Sequence, residues 1–189
     1  MKKRNRLFSC SEEERKLCEL RDETRHIYLF DEIGPESAEE FIRTLHHLEK
    51  RNNKPITVFI NSPGGGCADG FAIIDAILAS KCLIKTVAIG EICSMAPGVF
   101  IAGKKRYITK NTFVMFHPIT TYSSDYIQFA KSALKNAENI ELVYDKYILE
   151  RTKMPKRLLQ QAKNKEVWLN AKETIEYGIA HGYYEGEAK

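Results

Sequence analysis

The sequence has little of what would indicate a metalloprotein, a disulfide framework or a membrane protein. Its five cysteines are odd in number and include no CxxC pair, and no HExxH motif occurs. No apolar run approaches the ~18 residues that a membrane-spanning helix needs. The basic start, MKKRNR, is followed by SCSEEERK rather than by the apolar stretch of a signal peptide. We therefore expect a soluble cytoplasmic protein with reduced thiols.

No strong excess of one charge is present either. The net charge is +4, from 29 basic and 25 acidic residues, and the one dense basic run is residues 1–6. We interpret that run as a solvated tail, so no nucleic-acid partner is expected. The 189 residues, 43% hydrophobic and 29% charged, suit a single domain. We assign residues 1–24 to a polar N-terminal tail and 25–189 to the domain.

Short apolar segments alternate with amphipathic ones along that domain. Residues 56–60 (ITVFI) and 84–89 (IKTVAI) are typical of strands that are covered on both faces. Apolar side chains recur at helical spacing between them. This alternation predicts an α/β fold with mainly parallel strands. The helices are predicted over residues 37–50, 68–80, 94–102, 126–151, 156–163 and 171–177.

Two turns follow predicted strands and carry chemically useful residues. In GEICSMA, residues 90–96, Ser94 opens a predicted helix, where backbone N–H groups can stabilise an oxyanion. Taken alone, this serine is more simply a helix N-cap. In NSPGGG, residues 61–66, three glycines allow the backbone to approach a ligand closely. That segment lacks the Lys-Ser/Thr of a phosphate-binding loop.

His117 ends a third predicted strand, residues 113–116 (FVMF), and precedes Pro118. A histidine at the end of a strand can act as a general base. Taken alone, it is more simply a structural or surface histidine.

Together these segments resemble the Clp protease proteolytic subunit over residues 25–184. INSPGGG, ADGFAIID, GEICSMA, KRYITKNTFVMFHP and VWLNAKETIEYGIAHG follow the family's motifs in order. The resemblance implies a repeated β-α-β spiral of the ClpP/crotonase type, with a protruding handle helix at about 126–151. It implies a serine endopeptidase that needs no cofactor.

The resemblance also assigns the site residues. Ser94 corresponds to the nucleophile and His117 to the base, and the backbone N–H groups of Gly65 and Met95 correspond to the oxyanion hole. The family's third residue is an aspartate, and its position falls here on Glu166. A glutamate can orient the histidine, although its side chain is one methylene longer.

The sequence offers two other carboxylate or amide residues for the third catalytic role, and it departs from the family at segments used for assembly and in the helix after Ser94. Asn164 and Asp145 are weaker candidates for the third role. Residues 119–125 are shorter than the family's glycine-rich strand, and residues 1–24 show no match to its axial loop. Pro97 replaces the family's small residue just after Ser94, and the first turn of a helix tolerates proline.

The implied partners are an unfolded polypeptide substrate, copies of the chain in a heptameric ring or stacked rings, and a hexameric AAA+ unfoldase. A non-catalytic ring subunit that supports an active paralogue is the alternative. A crotonase-type enzyme acting on acyl-CoA is disfavoured by GEICSMA. A signal peptide peptidase with a Ser-Lys pair would use Lys104, Lys105 or Lys110 as base, and the histidine motif makes them unnecessary.

Overall fold

The computed structural model describes residues 12–120 and 126–186, so the basic run and most of residues 119–125 lie outside the described part. Its strands are β1 His26–Leu29, β2 Ile56–Ser62, β3 Ile84–Cys93, β4 Lys105–Ile108, β5 Phe113–Phe116, β6 Val167–Asn170 and β7 Gly182–Tyr183. Its helices are α1 Glu12–Thr24, α2 Pro35–Arg51, α3 Cys67–Ala79, α4 Ala96–Ala102, α5 Ile127–Arg151, α6 Lys156–Ala162 and α7 Ala171–Glu176.

The sheet is parallel along its main path and forks at β3. The path runs β1-β2-β3-β4-β7, with parallel pairing throughout. The first part of β3 pairs with β4, and its last residues pair in parallel with β5 instead. β5 then pairs antiparallel with β6. The predicted α/β class is therefore confirmed, and β3 is the strand that joins the two branches.

The hydrophobic core forms where strands of the sheet are packed against helices. Six of the seven β2 residues are buried, and five of them, Ile56–Ile60, are consecutive, as a strand packed on both faces requires. Phe41, Leu45 and Leu48 of α2 recur at helical spacing and pack into the same cluster. Within residues 12–120 and 126–186, no helix is long and apolar enough to cross a membrane.

Two local expectations differ from the structure. β3 continues to Cys93, and α4 begins at Ala96 with Met95 as its N-cap residue, so the prediction that Ser94 opens the helix is wrong. A helix, α1, also occupies part of the segment assigned to a tail. Its Asp22 accepts from His47 Nε2 at 2.7 Å and lies 3.0 Å from an Arg51 guanidinium nitrogen, which places α1 against α2.

A buried arginine ties the ends of several helices together. Arg106, on β4, donates to the carbonyl oxygens of Ile179 at 2.7 Å, Gly178 at 2.9 Å, Arg151 at 3.1 Å and Ile101 at 3.3 Å. These carbonyls lie at or near the C-terminal ends of α4, α5 and α7, where helix dipoles favour a cation. Burial lowers the pKa of Arg106, and an arginine stays charged at neutral pH regardless.

Replacing Arg106 by methionine is expected to destabilise the fold substantially. Four carbonyl oxygens would lose a charged donor, at a cost of at least about 3 kcal/mol. That corresponds to a fall of roughly 6–12 °C in Tm for a chain of this size. Thermal unfolding at one fixed protein concentration measures it. Lys105→Met, which changes the exposed neighbour, is the control; equal Tm values for the two variants would contradict the assignment.

Candidate active site

Two neighbouring strands end and a third begins at one edge of the sheet, and the predicted catalytic side chains flank these strands there. β3 and β5 are parallel, so Ser94 and His117, which follow them directly, lie at the same edge. β6 runs antiparallel to β5, so its amino end, preceded by Glu166, lies at that edge too. β5 pairs Phe116 with Val167, and His117 and Glu166 each lie one residue beyond this last pair.

The backbone at Ser94 is held in an unusual conformation. Its φ is +59°, a left-handed value that a residue with a side chain adopts only when its surroundings require it. Its amide donates to the carbonyl of Met115 on β5 at 2.9 Å. Its own carbonyl accepts from the hydroxyl of Tyr144 on α5 at 3.0 Å. The sharp turn thus lies at the end of a strand, as in the nucleophile turns of serine hydrolases.

The glycine turn after β2 lies directly against this serine. Gly64 has φ +93°, and a Cβ added there would lie 2.5 Å from Ser94 Cβ and 2.9 Å from the Met95 nitrogen. The Ser62 hydroxyl accepts from the Gly64 amide at 3.1 Å and donates to the Asp31 carbonyl at 2.6 Å, which fixes the turn. Only glycine allows the two segments to approach this closely.

The Gly65 and Met95 amides are available as donors. Gly65 pairs with Ile33 in a parallel bridge through its neighbours, the Gly64 carbonyl and the Gly66 amide. In the part of the chain that the structure describes, neither the Gly65 nor the Met95 N–H donates a hydrogen bond. Two unpaired amides beside a serine are the arrangement that an oxyanion hole requires.

These residues share one pocket of about 460 Å³. It is lined by Ser94, His117, Gly65 and Met95 together with side chains of α5 and α6. A larger pocket of about 790 Å³, between α1, β1 and α2, contains none of those four. The smaller pocket is therefore the candidate active site.

An ion triad closes one wall of this pocket. Lys163 Nζ lies 2.6 Å from Glu141 Oε2 and 2.9 Å from Asp145 Oδ2, with all three residues lining the pocket. The hydrogen bond that the Lys163 ammonium donates to Glu141 is the main cause of a raised Lys163 pKa. Since the ammonium stays protonated, Lys163 is a poor general base. Asp145, the weaker candidate for the third catalytic role, is already occupied by this pairing.

Glu166 has a different partner from the one predicted. Its Oε2 accepts from Trp168 Nε1 at 2.9 Å, and its side chain is exposed and outside the lining of the pocket. Among residues 12–120 and 126–186, no hydrogen bond joins His117 to Ser94 Oγ or to Glu166. Asn164 is exposed, in the turn after α6, and donates to the Gln160 carbonyl of that helix. The third role of Glu166 therefore stays a prediction.

The neighbouring thiol does not compete with the serine. Burial, followed by the charges of Glu91 and Glu166, raises the pKa of Cys93 to about 12. The thiol is therefore protonated at neutral pH and a weak nucleophile.

Sequence reasoning missed the contribution of α5. Tyr144 and Glu141 of α5 line the pocket, but nothing in their local sequence distinguishes them from other residues of an amphipathic helix. The spacing of Tyr144 and Tyr147, three residues apart, indicates a shared helix face. It does not indicate what that face touches.

Comparisons with known proteins identify the family. The family model described as Clp protease matches residues 11–185. The ATP-dependent Clp protease proteolytic subunit 2 of Treponema denticola is 31% identical over 159 residues, covering 82% of this chain and 80% of that protein. The corresponding subunit 1 of Chlamydia pneumoniae is 30% identical over 169 residues, covering 85% and 86%.

Solved structures agree on the fold. ClpP1 from Listeria monocytogenes superposes with a TM-score of 0.78 at 27% identity, covering 90% of this chain and 97% of that chain. A point mutant of the same protein gives 0.76 at 30% identity, covering 90% and 96%. The predicted ClpP-type fold with its long helix is confirmed, and the chain belongs to the Clp protease family.

Proposed function

We propose that this chain is a serine endopeptidase that cleaves unfolded polypeptides through an acyl-enzyme at Ser94. The observation that carries the proposal is the convergence of Ser94, His117 and the unpaired amides of Gly65 and Met95 on one pocket. The relatives named as Clp protease proteolytic subunits support the same chemistry.

The proposed reaction uses these groups in order. His117 takes the proton of Ser94 Oγ as the oxygen attacks a peptide carbonyl, and the Gly65 and Met95 amides stabilise the oxyanion. The imidazolium then protonates the leaving amine, and water hydrolyses the ester by the same steps. Glu166 would orient His117 after leaving Trp168; the pairing of their neighbours Val167 and Phe116 supports this contact.

We also propose a ring assembly served by an unfoldase of the AAA+ class. The words "ATP-dependent" in the names of the relatives support an ATPase partner. The handle helix α5 exposes several large apolar side chains, which supports burial against another copy. These are Ile127, Phe129, Leu134, Leu142 and Val143.

A non-catalytic ring subunit is the second candidate. The bond between Glu166 and Trp168 favours it, because a histidine without an orienting carboxylate is a weak base for serine. The two candidates differ in whether Ser94 reacts.

Labelling with a fluorophosphonate probe is expected to modify Ser94 in the parent protein, with no labelling in Ser94→Ala. His117→Ala should lose labelling too, because the hydroxyl then has no base. Mass spectrometry of the labelled peptide identifies the residue, and size-exclusion chromatography compares the assembly of the variants. An assembled parent that stays unlabelled would support the non-catalytic subunit.

Glu166→Gln is expected to lower kcat by roughly 100-fold or more, since the amide cannot stabilise the imidazolium as a carboxylate does. Trp168→Phe removes the competing donor and keeps an aromatic ring, so kcat should be unchanged or higher. Turnover of a fluorogenic peptide measures both. Activity in Glu166→Gln equal to the parent would remove Glu166 from the mechanism.

Gly64→Ala is expected to lower kcat by about 100-fold. The added Cβ would collide with Ser94 Cβ and the Cys93 carbonyl, at a backbone conformation that alanine rarely adopts. The same peptide assay measures the loss. Gly182→Ala is the matched control, because a Cβ there meets nothing within 4 Å; a similar loss in both variants would refute the close-approach argument.

A further inference from the structure

One face of α5 is bonded to the turn and helix that follow Ser94. Tyr144, Tyr147 and Arg151 stand at positions i, i+3 and i+7. The Tyr144 hydroxyl donates to Ser94 O at 3.0 Å and the Tyr147 hydroxyl to Gly98 O at 3.1 Å. Arg151 donates to the carbonyls of Ile101 and Ala102 at 3.3 Å each. The three side chains thus bind four carbonyl oxygens spaced along the segment from Ser94 to the end of α4.

The bond from Tyr144 to the Ser94 carbonyl differs from the others because the N–H of the same peptide unit belongs to the proposed oxyanion hole. The Ser94 carbonyl and the Met95 N–H belong to the same peptide unit, which is planar, with its C=O and N–H pointing in opposite directions. A donor that fixes the carbonyl therefore fixes the direction of the amide as well. That amide is the unpaired Met95 N–H beside the pocket.

Tyr144 is itself held firmly. Its ring makes an edge contact with Phe71, with centroids 6.3 Å apart, and fits over Gly98, where an added Cβ would lie 2.5 Å from the ring. Burial raises the pKa of its hydroxyl, so the group remains a proton donor at neutral pH.

We propose that Tyr144 is a positioning residue for the oxyanion hole, whose hydroxyl turns the Ser94–Met95 peptide so that the Met95 amide faces the reacting carbonyl. The inference rests on the proposed peptidase function. It adds a residue from the handle helix, 50 positions away in sequence, to the support of the site.

The bond also strengthens the amide as a donor. A peptide whose carbonyl accepts a hydrogen bond is polarised, and its N–H becomes a better donor. The alternative is that Tyr144 merely satisfies a carbonyl near α4, as Tyr147 does. The two tyrosines therefore form a matched pair: each loses one phenol-to-carbonyl bond as phenylalanine, but only one of those bonds is made to the Ser94–Met95 peptide.

The test compares Tyr144→Phe with Tyr147→Phe in the full assembled chain. For Tyr144→Phe we expect kcat on a fluorogenic peptide to fall about tenfold, part of the loss that removing an oxyanion donor causes, with KM unchanged. The Ki of a peptide aldehyde, whose hemiacetal places an oxyanion in the hole, should rise by about the same factor. Tyr147→Phe should change kcat and this Ki by less than about twofold.

Crystal structures of both variants give a readout that does not need turnover. In Tyr144→Phe the Ser94–Met95 peptide should rotate or occupy two orientations, and in Tyr147→Phe it should stay as in the parent. An unchanged peptide in Tyr144→Phe, or equal losses of kcat in the two variants, would overturn the proposal. If the parent itself neither cleaves peptides nor takes the probe, the proposed function fails, and the orientation of the peptide still decides the role of Tyr144.

Discussion

The site depends first on the buried guanidinium of Arg106. It binds carbonyls at or near the ends of α4, α5 and α7, three helices that approach β4 from different parts of the chain. Each helix end presents unpaired carbonyls and a partial negative charge, and one cation satisfies both needs. α4 follows Ser94 and α5 carries Tyr144, so this charge joins the C-terminal ends of the two helices that flank the serine turn.

The fork in the sheet gives the site its second constraint. β3 is long enough to pair with β4 over its first half and with β5 at its end. The end of β3 therefore lies beside the end of β5, and β5 beside the start of β6. A sheet without this change of partner would place β4 between the serine and the histidine. The convergence of three chain segments is thus a consequence of strand length and pairing, and side-chain contacts only refine it.

The sequence was sufficient for the parts of the site that depend on local patterns. The apolar strands, the glycine turn at residues 61–66 and the position of His117 at a strand end all follow from neighbouring residues. The positive φ of Ser94 does not, because nothing in CSMA requires it and a helix start was the simpler expectation. The hydrogen bonds of Tyr144 and Glu166 depend on tertiary neighbours and rotamers, which no spacing rule specifies.

The strain at Ser94 explains why glycine stands opposite it. A left-handed turn is most easily made by glycine, but the nucleophile that we propose at position 94 requires a Cβ to carry its hydroxyl. Position 94 has a side chain and position 64 is glycine, because a Cβ at position 64 would collide with the Cβ of Ser94. The cost of the conformation is offset by bonds on both sides of the residue, from its amide to Met115 and from Tyr144 to its carbonyl. The turn is therefore specified by the distant segments that contain Gly64, Met115 and Tyr144. A substitution in any of them would shift the Ser94 hydroxyl even where it makes no contact with that oxygen.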